Sequence, residues 1–143
     1  MGYTHYWGFR QAPTKAEWKK AINLCKKIIK ACNIPVQFEY DVKKTPELSE
    51  DLIRFNGVED DGHETFYVQP IVSSFNFCKT ARKPYDLVVC ACLIAMKKTF
   101  TDKMWVHSDG ELEDGWEDAA NTANEFIEVD TAYVEEMLEE SDE

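Results

Sequence analysis

The 143-residue chain has no run of 18 uncharged apolar residues. Its longest apolar stretch, Leu87 to Met96, is too short to cross a bilayer, so no membrane-spanning helix is expected. No basic segment followed by an apolar one opens the chain, which argues against a secretory signal. His5 and Tyr6 also fit a myristoylation signal at Gly2 poorly. The five cysteines, Cys25, Cys32, Cys78, Cys90 and Cys92, contain no CxxC pair. Cys25 and Cys32 lie on one expected helix, about 10 Å apart at 1.5 Å per residue, too far to bridge. Reduced, mostly buried thiols and a cytoplasmic location follow (the host cytoplasm if the chain is phage-encoded). No ligand cluster for zinc is visible in the sequence, and the reading assigns no metal and no cofactor.

Charge is missing from one end in one sign only. Residues 109–143 hold 15 of the 27 acids and no Lys or Arg. Residues 1–108 carry all 16 cations against 12 acids, so a mildly basic body meets an acidic C-terminal segment from about residue 109. The formal net charge of -11 argues against direct DNA binding, because phosphates would approach an anion. What is present suffices for a core. Hydrophobic residues at 44% and aromatics at 13% exclude global disorder and support a single domain over residues 1–143.

The pattern predicts an α+β fold, a mostly antiparallel sheet packed by about three helices. Tyr3 to Arg10 alternates as a strand, with Tyr3, His5, Trp7 and Phe9 on one face. Thr14 and Glu17 form a capping box ahead of a helix that carries Trp18, Ala21, Ile22, Cys25, Ile28 and Cys32 on one side. Asn33-Ile-Pro35 ends that helix and opens a strand, Val36 to Tyr40, with Val36, Phe38 and Tyr40 on one side. Thr45 to Ser49 reads as loop, Asp51 to Phe55 as a short strand or turn, and Thr65 to Val72 as a strand cut short by Pro70. The run after Pro84 reads as a buried helix and Lys103 to His107 as a strand turning at Ser108-Asp-Gly110. Trp116, Ala120, Ala123 and Ile127 have helical spacing. Asp130 caps a last helix with few apolar anchors, whose final residues are expected to fray.

The stretch Phe75-Asn-Phe-Cys-Lys-Thr-Ala-Arg-Lys-Pro-Tyr-Asp86 is the richest in chemistry. Lys79, Arg82 and Lys83 stand where a helix begins, with its unpaired N–H groups and partial positive charge. Phe75, Phe77 and Tyr85 flank them, and cations among rings suit a stacked base with a phosphate. Arg82 paired with a C-terminal acid, with Asp86 answering the helix dipole, is the plain structural alternative. His63 and Glu64 open a strand as a proton-moving group and a carboxylate, although neighbours on a strand point to opposite faces. His63-Glu-Thr65 is one half of the two-histidine phosphoesterase pattern; neither His5-Tyr-Trp7 nor His107-Ser-Asp109 supplies the other half. A zinc deaminase signature, a cysteine-phosphatase loop and an EF-hand loop are all absent.

Gly2-Tyr-Thr-His-Tyr-Trp7, Gly62-His-Glu-Thr-Phe66, Phe77 to Asp86 and Val106-His-Ser-Asp-Gly110 together resemble a family of small uncharacterised proteins of bacteriophages and bacteria. The resemblance implies a viral or prophage origin and a role in host takeover or counter-defence. It brings no activity with it.

The leading expectation is a module that binds a phosphorylated or nucleotide-like ligand, with sequestration of a host signal as its use. Lys79, Arg82 and Lys83 would hold the anion. Phe77, Tyr85 or Trp7 would stack, and Asn56, His63, Glu64 and His5 would read polar groups. One alternative is an acidic decoy that occupies a host protein through the C-terminal segment. The other is a metal-independent phosphoesterase using His63 and Glu64 with His5 or His107. A second copy of the chain is a further partner left open.

Overall fold

Thr14 and Glu17 cap each other at the start of the first helix. In the computed structural model, which describes residues 3–40 and 42–140, Thr14 Oγ1 accepts from Glu17 N–H at 3.1 Å. A Glu17 carboxylate oxygen accepts from Thr14 N–H at 2.8 Å. Gly2 and the terminus 141–143, where fraying is expected, lie outside the described residues. Helix α1 (Lys15–Cys32) ends at Asn33, which takes the left-handed conformation common just past a helix end. Its buried stripe is Trp18, Ala21, Ile22, Leu24, Cys25 and Ile28, with the lysines outside, as the spacing predicts.

Strand β1 (Thr4–Phe9) pairs antiparallel with two later strands at once, β6 (Ser73–Lys79) and β7 (Met104–Ser108). The order β6-β1-β7 makes the first strand of the chain the centre of its sheet. β6 and β7 therefore run parallel to each other across β1, and helix α2 (Asp86–Phe100) joins them, a split β-α-β unit. Residues Val88 to Lys97 of α2 are all buried. A helix apolar on every side needs cover on every side, which α1, β7 and helix α3 (Trp116–Ala123) help provide. A second antiparallel sheet is built on β4 (Ile53–Gly57), which pairs with β2 (Val36–Gln37), β3 (Glu47–Leu48) and β5 (Phe66–Val68). The chain is thus α+β with two antiparallel sheets and, among the described residues, four α-helices rather than three.

Several expected elements differ, each for a local reason. The strand expected over Val36 to Tyr40 shortens to β2. Gln37 is the buried residue there, because its side chain donates to Glu39 O and Tyr40 O and folds the chain back. Tyr40 is exposed. The segment 65–72 is strand only over β5. The chain then resumes as β6, an element that apolar patterning does not reveal because Phe75 and Phe77 face solvent and only Cys78 is buried.

The acidic end is also better anchored than its composition suggests. Helix α4 (Thr131–Glu139), capped by Asp130 as expected, buries Val134 and Met137 beside α3 and β7. Beyond it, Glu140 lies 2.9 Å from the Nζ of buried Lys97, which also donates to the carbonyls of Thr101 and Met104.

Two outcomes follow. The Glu17 carboxyl is held below the usual range, first by its bond from Lys103 and then by Thr14 N–H. A lowered folded pKa adds stability that is complete above the ordinary carboxylate range and is lost as pH falls through the lowered value. Glu17→Gln should therefore lower the urea midpoint at pH 7, and the two proteins should converge as pH falls through that lowered value. Met137→Ala should cost about 2–4 kcal/mol by urea denaturation, since it opens a core cavity rather than trimming a loose tail.

Candidate functional site

The segments 3–7, 62–66, 77–86 and 106–110 are joined by hydrogen bonds and strand pairing, and the imidazole of His5 is buried among them. Alternation along β1 sends Tyr3, His5, Trp7 and Phe9 inward, and His5 has no solvent exposure. Its Nε2 lies 2.6 Å from Asp86 Oδ1 at the first turn of α2. Its Nδ1 lies 2.7 Å from Ser108 Oγ at the end of β7. Tyr3 and Trp116 meet the ring edge-on, with centroids at 5.0 and 5.1 Å. Cys90, one turn beyond Asp86 on α2, brings its Sγ to 3.3 Å from Nε2 and 3.7 Å from Asp86 Oδ2.

Counting donors fixes the proton. Ser108 Oγ accepts from Gly110 N–H at 2.9 Å and from Trp116 Nε1–H at 3.0 Å, which uses both lone pairs. Its own hydrogen must then go to His5 Nδ1, so His5 carries its proton on Nε2 and donates to Asp86. Thr80 Oγ1 donates to the same Asp86 oxygen at 2.5 Å. Asp86 Oδ2 is left with only the distant thiol. Burial first, and then the Asp86 charge, pushes the Cys90 thiol well above its usual range. Burial, followed by Cys90 and Asp86, likewise raises the Tyr3 phenol.

The loop that delivers Thr80 is bent in an uncommon way. Ala81 and Arg82 both have positive φ, 53° and 59°, without being glycine. Thr80 N–H and Ala81 N–H both donate to Tyr3 O, and Lys83 N–H donates to Thr80 O, which holds the bend. Arg82 is thereby carried over the Tyr3 ring, 4.0 Å from its centroid and 3.9 Å from Asp114. At the helix start expected to face an anion, the first turn of α2 carries the chain's own Asp86, whose carboxylate is bonded to His5 and Thr80.

The opposite face of the same sheet is aromatic and open. Register sets Tyr6 opposite Phe77 on one side and His107 on the other, with Lys79 opposite Thr4. Phe75 and Phe77 are 57% and 55% exposed, and Phe75 contacts both Phe77 and Tyr6, at 6.0 and 5.7 Å between centroids. Trp105 lies beneath Phe75 and across Gly8, where a Cβ would fall 2.3 Å from the indole Nε1. Only glycine leaves room for that ring.

Of the residues predicted from sequence, Phe77, Lys79, Arg82 and Lys83 stay together along β6 and the loop that follows it. Trp7, Tyr85 and Asn56 are sealed in the core. Tyr85 Oη donates to Glu64 O at 2.5 Å, and Asn56 fastens the 57–65 turn through His63 and Thr65. Glu64 spends its carboxylate on Lys79 N–H, while His63 is exposed. His5 and His107, the two alternatives considered as partners of His63, point to opposite faces of the sheet.

Thr80, Cys90, Ser108 and Trp116 were not singled out in the sequence as site residues. The signals available were the Asp86–Cys90 spacing of one helical turn and the Ser108-Asp-Gly110 turn. A groove of about 710 Å³ between α1 and Leu48, near Pro70, contains none of the predicted site residues. No known protein family, curated protein or solved structure matches the chain.

Asp86→Ala strands a buried imidazole N–H, a hydroxyl and a thiol together. It should lower stability by about 3 kcal/mol, whereas Arg82→Ala, at an exposed and long ion pair, should stay within about 0.5 kcal/mol. Urea denaturation of the two variants side by side checks this.

Proposed function

We propose that the protein is a binding module for a nucleotide-like ligand, held on the open face of the β6-β1-β7 sheet. The observation that carries this reading is the set of touching rings Tyr6, Phe75 and Phe77, with Lys79 next on the same face of β6. Every nucleobase has a π-face, and a row of exposed rings is the surface on which bases stack. Lys79 stands two residues from Phe77, about 7 Å along a strand, within reach of a phosphate attached to a base over Phe77. Arg82 and Lys83 extend the cationic side into the loop. The net charge of -11 opposes an anion at long range, but opposition of that kind is screened within about 8 Å at physiological salt. A short ligand suits this balance better than a duplex. Sequestering such a ligand in a host cell would fit a phage-encoded accessory protein, the origin that the sequence resemblance implies.

Titration with mononucleotides and short single-stranded oligonucleotides, followed by Trp fluorescence, tests the reading. Phe77→Ala should weaken binding about tenfold or more, as expected when one stacking ring is lost. Lys79→Ala should weaken it and flatten its salt dependence. Lys20→Ala, on the solvated face of α1, should change nothing. Absence of saturable binding to any of these ligands, or equal loss in all three variants, would remove the face from consideration.

A second reading places the function on the acids. Glu135, Glu136 and Glu139 of α4, with Glu117 and Asp118 of α3, are exposed while their helices stay anchored. A folded acidic surface of this kind would occupy a basic protein site. Because α4 contributes to the core, its test is the triple change of Glu135, Glu136 and Glu139 to Gln, not truncation.

A further inference from the structure

We infer that His5, Cys90 and Asp86 form a binding site for a zinc-like divalent metal ion. Their ligand atoms all lie within 4.8 Å of one another. A tetrahedral ion with Zn–N and Zn–O near 2.0 Å and Zn–S near 2.3 Å holds its ligand atoms about 3.3–3.7 Å apart. The observed separations are 3.3 Å for Nε2 to Sγ and 3.7 Å for Sγ to Oδ2. Two of the three edges of the ligand triangle therefore already have the required length. The third contact, Nε2 to Asp86 Oδ1 at 2.6 Å, is the hydrogen bond that the ion would replace, with Oδ2 turned toward it. The site is also reachable. Its edge at Asp86 is 14% exposed, while His5 and Cys90 lie fully buried behind it.

The exchange balances in charge and in protons. On binding, the Cys90 thiol gives up its proton to solvent, and His5 moves its proton from Nε2 to Nδ1 with no net loss. A +2 ion then faces one thiolate and one carboxylate, so the site becomes neutral and one proton is released per ion. The Nδ1–H now donates to Ser108 Oγ, the outer contact that metal-bound histidines usually make. Ser108 turns its own hydrogen away, and three donors share its oxygen, so the bond from Trp116 Nε1–H loosens. A set of one nitrogen, one sulfur and one oxygen selects zinc or cobalt over magnesium or calcium.

The test uses the full chain, stripped with a chelator and titrated with Co²⁺ alone. A thiolate-to-cobalt absorption band should appear at a 1:1 ratio, Zn²⁺ should abolish it, and Mg²⁺ and Ca²⁺ should not. About one proton should be released per ion, and Trp fluorescence should change in step. Cys90→Ser and Asp86→Asn, each checked for folding by circular dichroism, should lose the band, while Cys32→Ser should keep it. No band in the parent protein, or a band that survives in folded Cys90→Ser, overturns the site. Neither outcome bears on nucleotide binding, which takes place on the other face of the sheet.

Discussion

A charged carboxylate and an imidazole cannot be taken out of water unless nearly every polar atom finds a partner, and this chain buries both together. His5 answers Asp86 with one nitrogen and Ser108 with the other, at 2.6 and 2.7 Å. Ser108 in turn receives Trp116 and Gly110, and Asp86 receives Thr80. Those partners belong to the central strand, the buried helix, the far edge strand, α3 and the loop after β6. Hydrophobic contact is tolerant of sliding; this network is not. It fixes the position and rotation of α2, whose uniformly apolar surface carries little information about which side should face the sheet.

One strand separates two kinds of chemistry. Odd-numbered residues of β1 face the core and its polar network, and Tyr6 and Gly8 face the open aromatic surface. A ligand stacked on Phe75 and Phe77 and an ion held by Cys90 would lie on opposite sides of a single layer of backbone. β6 links the two sides in sequence. Its outward Phe77 and Lys79 lead directly to Thr80, which turns inward to Asp86 through the left-handed pair Ala81 and Arg82.

Much of the scaffold was legible in the residues. The Thr14–Glu17 cap, the alternation of Tyr3, His5, Trp7 and Phe9, the long buried helix and the Asp130 cap are local signals, and local signals survive folding. β6 was hidden because its apolar residues point to solvent, the reverse of the rule that reveals strands. The site was only half visible for a related reason. Lys79, Arg82 and Phe77 are neighbours in sequence and remain so in space. His5, Asp86 and Ser108 are brought together across separations of about 80 and 100 residues, and nothing in their immediate surroundings announces it. Trp7 and Tyr85 resembled stacking residues because aromatic side chains look alike in a sequence whether they line a surface or fill a core.

The position of β1 has a consequence for the order of events during synthesis. The central strand is made before either of its neighbours, which emerge about 70 and 100 residues later. Until then a stretch containing Tyr3, Tyr6, Trp7 and Phe9 has both edges unpaired and its histidine without partners. Such long loops close slowly, and unpaired aromatic strands invite other chains. The nascent chain therefore keeps this adhesive segment uncovered until β6 and β7 have been made. Yield in a foreign host should respond to chaperone supply and growth temperature more than the stability of the finished fold would indicate.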